Sequence, residues 1–104
     1  MLESVKAQID KVKQAYAVEV FEKDNEPVQM IVKDFPTQGS RNKSDIMTVL
    51  PQGYPQTMPN GFSIRNENGT WNNICFRPQT WDPAKDTLWK WIKMIDCYFK
   101  ENPQ

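Results

Sequence analysis

Apolar side chains recur every three or four residues at the start of the chain, at Leu2, Val5, Ile9, Val12 and Tyr16, with Glu3, Lys6, Asp10, Lys11 and Lys13 between them. A period near 3.6 residues predicts an amphipathic helix from Leu2 to Tyr16, with one stripe turned to a core. The period then shortens. From Ala17 to Glu22, Val18 and Val20 alternate with Glu19, and Asp24-Asn25-Glu26-Pro27 supplies turn residues, so a strand and a hairpin turn are expected. The returning arm, Val28 to Phe35, sets Val28, Met30 and Val32 against Gln29, Ile31 and Lys33, and Pro36 with the polar loop Thr37 to Ser44 ends it. Ile46 to Leu50 reads as a third strand. Gly61 to Arg65 reads as a fourth, closed by Asn66-Glu67-Asn68-Gly69, whose Asn-Gly ending favours a tight turn.

The segment Trp71 to Pro78 has no strong period and reads as irregular. Beyond it, Asp82 has the chemistry of a helix N-cap and Pro83 suits the first helical position. Leu88, Trp91, Ile92, Ile95, Tyr98 and Phe99 then form a broad apolar face, so a helix from Pro83 to Lys100 is expected. The element order is helix, four-stranded antiparallel meander, irregular cysteine-containing segment, helix. This is an α+β plan with helices packed on a sheet. The 104 residues form one domain, 1–104, being too few for two independent cores.

Composition narrows the chemistry. Thirteen basic residues balance thirteen acidic ones, so no global field favours phosphate backbones or anionic lipid, and neither a nucleic acid nor a membrane is expected as partner. The charge-free run Ile46 to Ile64 is broken by Pro51, Pro55 and Pro59, and reads as a soluble loop region, not a span. MLESVKAQID lacks the apolar stretch of a signal peptide, and two cysteines make no disulfide framework, so a reducing cytoplasm and free thiols are expected. The chain contains no histidine, which removes Ser–His–Asp and Cys–His catalysis and histidine-ligated metal. Neither a metal nor a cofactor is expected.

What remains is thiol chemistry. Cys75 lies in Trp71-Asn72-Asn73-Ile74-Cys75-Phe76-Arg77-Pro78, with Arg77 the nearest cation to favour a thiolate. Beside Ile and Phe it reads either as a small buried hydrophobe or as a nucleophile. Cys97 falls on the polar side of the last helix among Lys90, Lys93 and Lys100, and reads as an incidental exposed thiol. Asn66 and Asn68 suit the turn; Asn72 and Asn73 are placed to donate to a developing oxyanion or to shape the chain. Trp89 and Trp91 read as packing residues.

These pieces stand in a familiar order: Tyr54-Pro55 with Pro59, a short strand, Ile74-Cys75, then Trp81-Asp82-Pro83 before an apolar helix. From Leu50 to Phe99 the chain resembles the catalytic domain of the ubiquitin-conjugating (E2-like, UBC-fold) family. That family carries a Tyr-Pro-x-x-Pro-Pro turn, an Ile-Cys or Leu-Cys active site and a Trp-Ser-Pro ahead of a core helix. The resemblance implies a minimal, prokaryotic-type member without the later helices, of the kind encoded with ubiquitin-like and E1-like partners in antiphage defence. It makes Cys75 the nucleophile that accepts a ubiquitin-like protein as a thioester from an E1-like activating enzyme and passes it to an acceptor amine or thiol. Asn72 or Asn73 would steady the oxyanion, and Asp82 or Asp86 would orient an amine. The family's His-Pro-Asn has no counterpart here. The alternative the resemblance leaves is an inactive UEV- or RWD-like protein-interaction module.

Overall fold

A computed structural model describes all residues, Met1–Gln104. Helix α1 spans Glu3–Lys13 and buries Val5, Ile9 and Val12, three of the five residues in the apolar stripe. It stops short of Tyr16, whose ring packs 5.3 Å from Phe35 and 6.4 Å from Trp89. Leu2, at the other end of the stripe, is 63% exposed.

Five strands follow, β1 (Val18–Phe21), β2 (Val28–Pro36), β3 (Lys43–Leu50), β4 (Phe62–Arg65) and β5 (Trp71–Ile74), then helix α2 (Leu88–Glu101). The strands form one antiparallel sheet in the order β1-β2-β3-β4-β5, an uninterrupted meander. The α+β plan is therefore the observed one, with two corrections.

The first is the strand count, five instead of four. Trp71-Asn72-Asn73-Ile74 has two asparagines, poor strand formers, and no apolar alternation. Its strand character comes from the turn before it. The Asn66 N–H donates to the Thr70 carbonyl at 2.7 Å and the Gly69 N–H to the Asn66 carbonyl at 2.9 Å. Gly69 occupies φ 88°, a conformation with little penalty only for glycine. That turn lays Trp71–Ile74 in register on Arg65–Phe62, and the backbone supplies the pairing whatever the side chains are.

The second is the start of the last helix, at Leu88 and not Pro83. Thr87 is its cap, the hydroxyl accepting from the Lys90 N–H at 3.4 Å. Asp82 caps a separate turn: its carboxylate accepts the Ala84 N–H at 3.0 Å, and its own N–H donates to Asp86 Oδ2 at 2.7 Å. Short polar side chains compete in this way with helix continuation.

Both helices cover one face of the sheet, and the sixteen-residue core lies between. Met30, Val32, Ile46, Leu50, Phe62 and Ile64 come from the sheet, and Leu88, Trp91, Ile92, Ile95 and Phe99 from α2. Each large side chain fully removed from water contributes about 1.5–3 kcal/mol. A bulge opposite Asp45 shifts the alternation of β2 by one residue, so that Phe35 faces the core, 6.0 Å from Phe99. The bulge is held by the Asp45 carboxylate, which accepts from the Asp34 N–H at 3.1 Å, Lys33 at 2.9 Å and Arg65 at 3.2 Å. One polar link crosses the core: Trp91 donates its indole N–H to the Thr48 hydroxyl at 2.9 Å. No helix is long and apolar enough to cross a membrane.

Candidate functional site

Strand β5 is an edge strand, and Cys75 is the first residue past its end. Register fixes which way its neighbours face. Asn72 pairs with Ile64 and Ile74 with Phe62, both core residues, so Asn72 and Ile74 lie on the helix-covered face. Asn73 pairs with Ser63 on the opposite face, where Trp71 also lies with the Arg65 guanidinium 5.2 Å from its ring.

Phe76 continues the inward set. Its ring stacks on Trp91 at 5.8 Å with planes 9° apart, and lies 5.1 Å from Tyr98 and 6.4 Å from Phe62. Ile74 also packs against the core. With its two neighbours anchored inward, Cys75 is exposed, and the buried-hydrophobe reading of this thiol does not hold. Asn73, two residues back, directs its amide nitrogen toward Cys75 Sγ at 3.9 Å.

The approach of β4 to this segment depends on Gly61, at φ 83°. A β-carbon there would stand 3.0 Å from the Ile74 carbonyl oxygen, so any side chain would push away the backbone next to the cysteine.

The other residues singled out from the sequence sort themselves by place. Tyr54 is buried and Pro59 with it, so the Tyr54-Pro55 turn is a packed element. The peptide bond joining Tyr54 to Pro55 is cis. Trp81 donates its indole N–H to the Pro55 carbonyl at 2.7 Å, its ring 6.0 Å from that of Tyr54. Burial pushes the Tyr54 hydroxyl well above its usual range; it donates to Gln8, whose side-chain oxygen also accepts the Leu88 N–H at 2.9 Å. This network joins α1, the turn and the head of α2.

Asp86 is buried, and its carboxylate is held below the usual range first by the ion pair with Lys90 at 2.5 Å and then by the Asp82 N–H. Asp82 is exposed and occupied in its own turn. Neither carboxylate hydrogen-bonds to Cys75 or Asn73, and Arg77 makes no hydrogen bond to the thiol. Asn66 and Asn68 shape the hairpin, donating to and accepting from Thr70. Trp91 is fully buried, while Trp89 lies half-exposed with Lys93 4.6 Å and Lys11 6.0 Å from its ring.

Cys97 is exposed on α2 and lines a shallow groove of about 350 Å3 with Phe76, Met94 and Tyr98. A larger recess of about 500 Å3 lies between the start of α1, the β1–β2 turn and Leu50–Tyr54, and shares no residue with the cysteine segment.

Phe76 is the residue the sequence reading overlooked. Its signal was Ile74-Cys75-Phe76 itself, in which large apolar side chains two apart flank a small one, as in a strand that anchors its flanks and presents its centre. No family model, curated protein or solved structure matches the chain.

Proposed function

We propose that the chain is an E2-like conjugating enzyme whose Cys75 carries a ubiquitin-like protein as a thioester. The observation that carries this reading is the presentation of Cys75. It is an exposed thiol at the end of an edge strand, pinned on both sides by inward-packed residues, with an amide donor on its own face. The order of motifs around it, Tyr54-Pro55 and Trp81 packed together ahead of α2, supports the same reading.

In the proposed step, Cys75 loses its thiol proton to solvent and the thiolate attacks the thioester carbonyl on the E1-like enzyme. A new C–S bond forms at Cys75 as the old one breaks, and the departing thiolate takes up a proton. The exchange replaces one thioester by another and needs no histidine base. This reading gives the oxyanion to Asn73, which shares the face of Cys75, in preference to Asn72, which lies on the opposite face. It gives the incoming amine to Asp82, which is exposed and keeps Oδ2 free while Oδ1 accepts the Ala84 N–H, since Asp86 is buried and paired with Lys90.

The test is charging by a loaded E1-like partner, followed as a thiol-sensitive adduct on non-reducing gels. Cys97→Ala is expected to charge like the parent, and Cys75→Ala not at all. Equal charging of both variants overturns the assignment. Absence of charging in the parent, with retained binding of the ubiquitin-like protein, replaces it by the non-catalytic interaction module.

A further inference from the structure

The phase of the β4–β5 ladder determines what the outer edge of β5 offers. The Asn66 N–H bonds to the Thr70 carbonyl, so Asn66 and Thr70 are a hydrogen-bonded pair. In an antiparallel ladder such pairs alternate with non-bonded ones. Arg65↔Trp71 and Ser63↔Asn73 are then the non-bonded pairs, and Ile64↔Asn72 and Phe62↔Ile74 the bonded ones. The backbone N–H and C=O groups of Trp71 and Asn73 therefore point away from the sheet, and no loop or neighbouring strand takes them up. Cys75, in the same phase, adds its own N–H to that row, and it too has no backbone partner. An unpaired row of this kind is a template for a further strand.

Just past the C-terminal end of this edge, Phe76 lines a groove with Met94, Cys97 and Tyr98 of α2. Its charge is uneven. Lys90 is paired with Asp86, but Lys93 has no carboxylate partner, and the one acidic lining residue, Glu101, lies two helical turns further along α2.

We infer that the outer edge of β5 receives an extended C-terminal tail as a sixth strand, with an apolar side chain in the Phe76–Met94–Tyr98 groove and an acidic one facing Lys93. This rests on the reading of Cys75 as acyl acceptor, which also fixes polarity. The acyl carbon is the last atom of the tail and must reach a thiol at the C-terminal end of β5, so the tail runs parallel to β5. A strand paired there lies about 4.8 Å from the β5 backbone, close enough for its final carbonyl to reach Cys75. The substrate class is thus a protein with a flexible C-terminal tail that carries apolar residues and one acidic group on the same face of the strand. A globular surface without such a tail does not fit.

The probe is the synthetic peptide Ser-Val-Ser-Glu-Ser-Leu-Gly, whose Val, Glu and Leu share one face of an extended strand, used as the free acid and as a small-thiol thioester, with 15N-labelled protein. The acid is expected to shift the amides of Trp71, Asn73 and Cys75 saturably while those of Val18–Phe21, on the other edge strand, stay in place. A series of the peptide N-methylated at one residue at a time is expected to lose about tenfold in affinity at every second position, the value of one lost edge hydrogen bond. Lys93→Glu is expected to weaken binding about fivefold, a surface charge effect.

An N-methyl series without alternation, shifts confined to β1, or β5 shifts that depend on protein concentration without peptide each overturn the inference, the last in favour of self-pairing. The thioester arm separates the two claims. Binding at β5 with no acyl transfer to Cys75 removes the enzymatic reading and leaves a tail-binding edge. Transfer to Cys75 with undisturbed β5 amides removes the docking mode alone.

Discussion

Cys75 and Cys97 are both exposed thiols in one small domain, so accessibility does not distinguish them. What does is the element each belongs to. Cys97 sits within a continuous helix, where backbone donors and acceptors are satisfied internally and side chains three and four residues away set its surroundings. Cys75 sits at the end of an edge strand, where one row of backbone groups is open, the side-chain period is two, and its flanks Ile74 and Phe76 are tied to the core. A thiol on the helix is carried by the fold. The thiol at the strand end is aimed by it.

The comparison is broken most directly at the asparagines. If period-two geometry aims the site, Asn73→Ala should slow discharge to an amine by ~10²–10³-fold while charging survives, as removal of an oxyanion donor does, and Asn72→Ala should change it less than ~3-fold. Single-turnover discharge rates measured on pre-charged protein decide it. Equal effects from both variants would mean that register does not govern the chemistry.

That distinction was not available before the strand was known, which shows where sequence reading stopped. The helices and the first four strands were legible because burying one face imposes a period on side chains, as Val5, Ile9 and Val12 or Ile46, Thr48 and Leu50 do. β5 was not, because its pairing is set by the Asn66–Thr70 turn and by backbone groups that leave no trace in side-chain pattern. Asp82-Pro83 misplaced the start of α2 because the same chemistry that caps a helix also caps an isolated turn. Of the site, Cys75 and Asn73 were both named from sequence. Their shared face follows only from register, as does the separation of Asn72 from them.

A second test sharpens the contrast through packing. Phe76 anchors the cysteine segment to Trp91 and Tyr98 but is only partly buried, so Phe76→Ala should cost about 2 kcal/mol, below the 3–5 usual for a fully buried ring. Urea unfolding gives the stability, and alkylation rates under native conditions give the local effect. The rate at Cys75 should change several-fold and that at Cys97 less, because α2 keeps its other core anchors, Leu88, Ile92, Ile95 and Phe99. Parallel changes at both thiols would show that the segment is not independently anchored.

The smallest effect concerns the bulge that holds β2 against β3 on the far side of the sheet. For Asp45, burial is the largest single influence and raises the pKa, but the bonds from Lys33, the Asp34 N–H and Arg65 together outweigh it and hold the carboxyl below its usual range. A folded value below the unfolded one means that the unfolded chain binds the proton more readily as the solution acidifies. The stabilisation is therefore complete above the unfolded carboxylate value of about 4 and lost as pH falls through the lower folded value. Asp45→Asn should cost about 1 kcal/mol at pH 7 and flatten the acid limb of a stability–pH curve, with Cys75 charging at pH 7 unchanged. An unaltered acid limb would remove Asp45 from the account.

The central claim, that the strand-end thiol and not the helix thiol carries the acyl group, is tested most directly in the parent protein with both cysteines present. Mixed with a loaded E1-like partner for a single turnover, quenched in acid and digested without reductant, the protein should yield one hydroxylamine-labile adduct on the peptide containing Cys75 and none on that containing Cys97. An adduct on Cys97, or an even division between the two thiols, would contradict it.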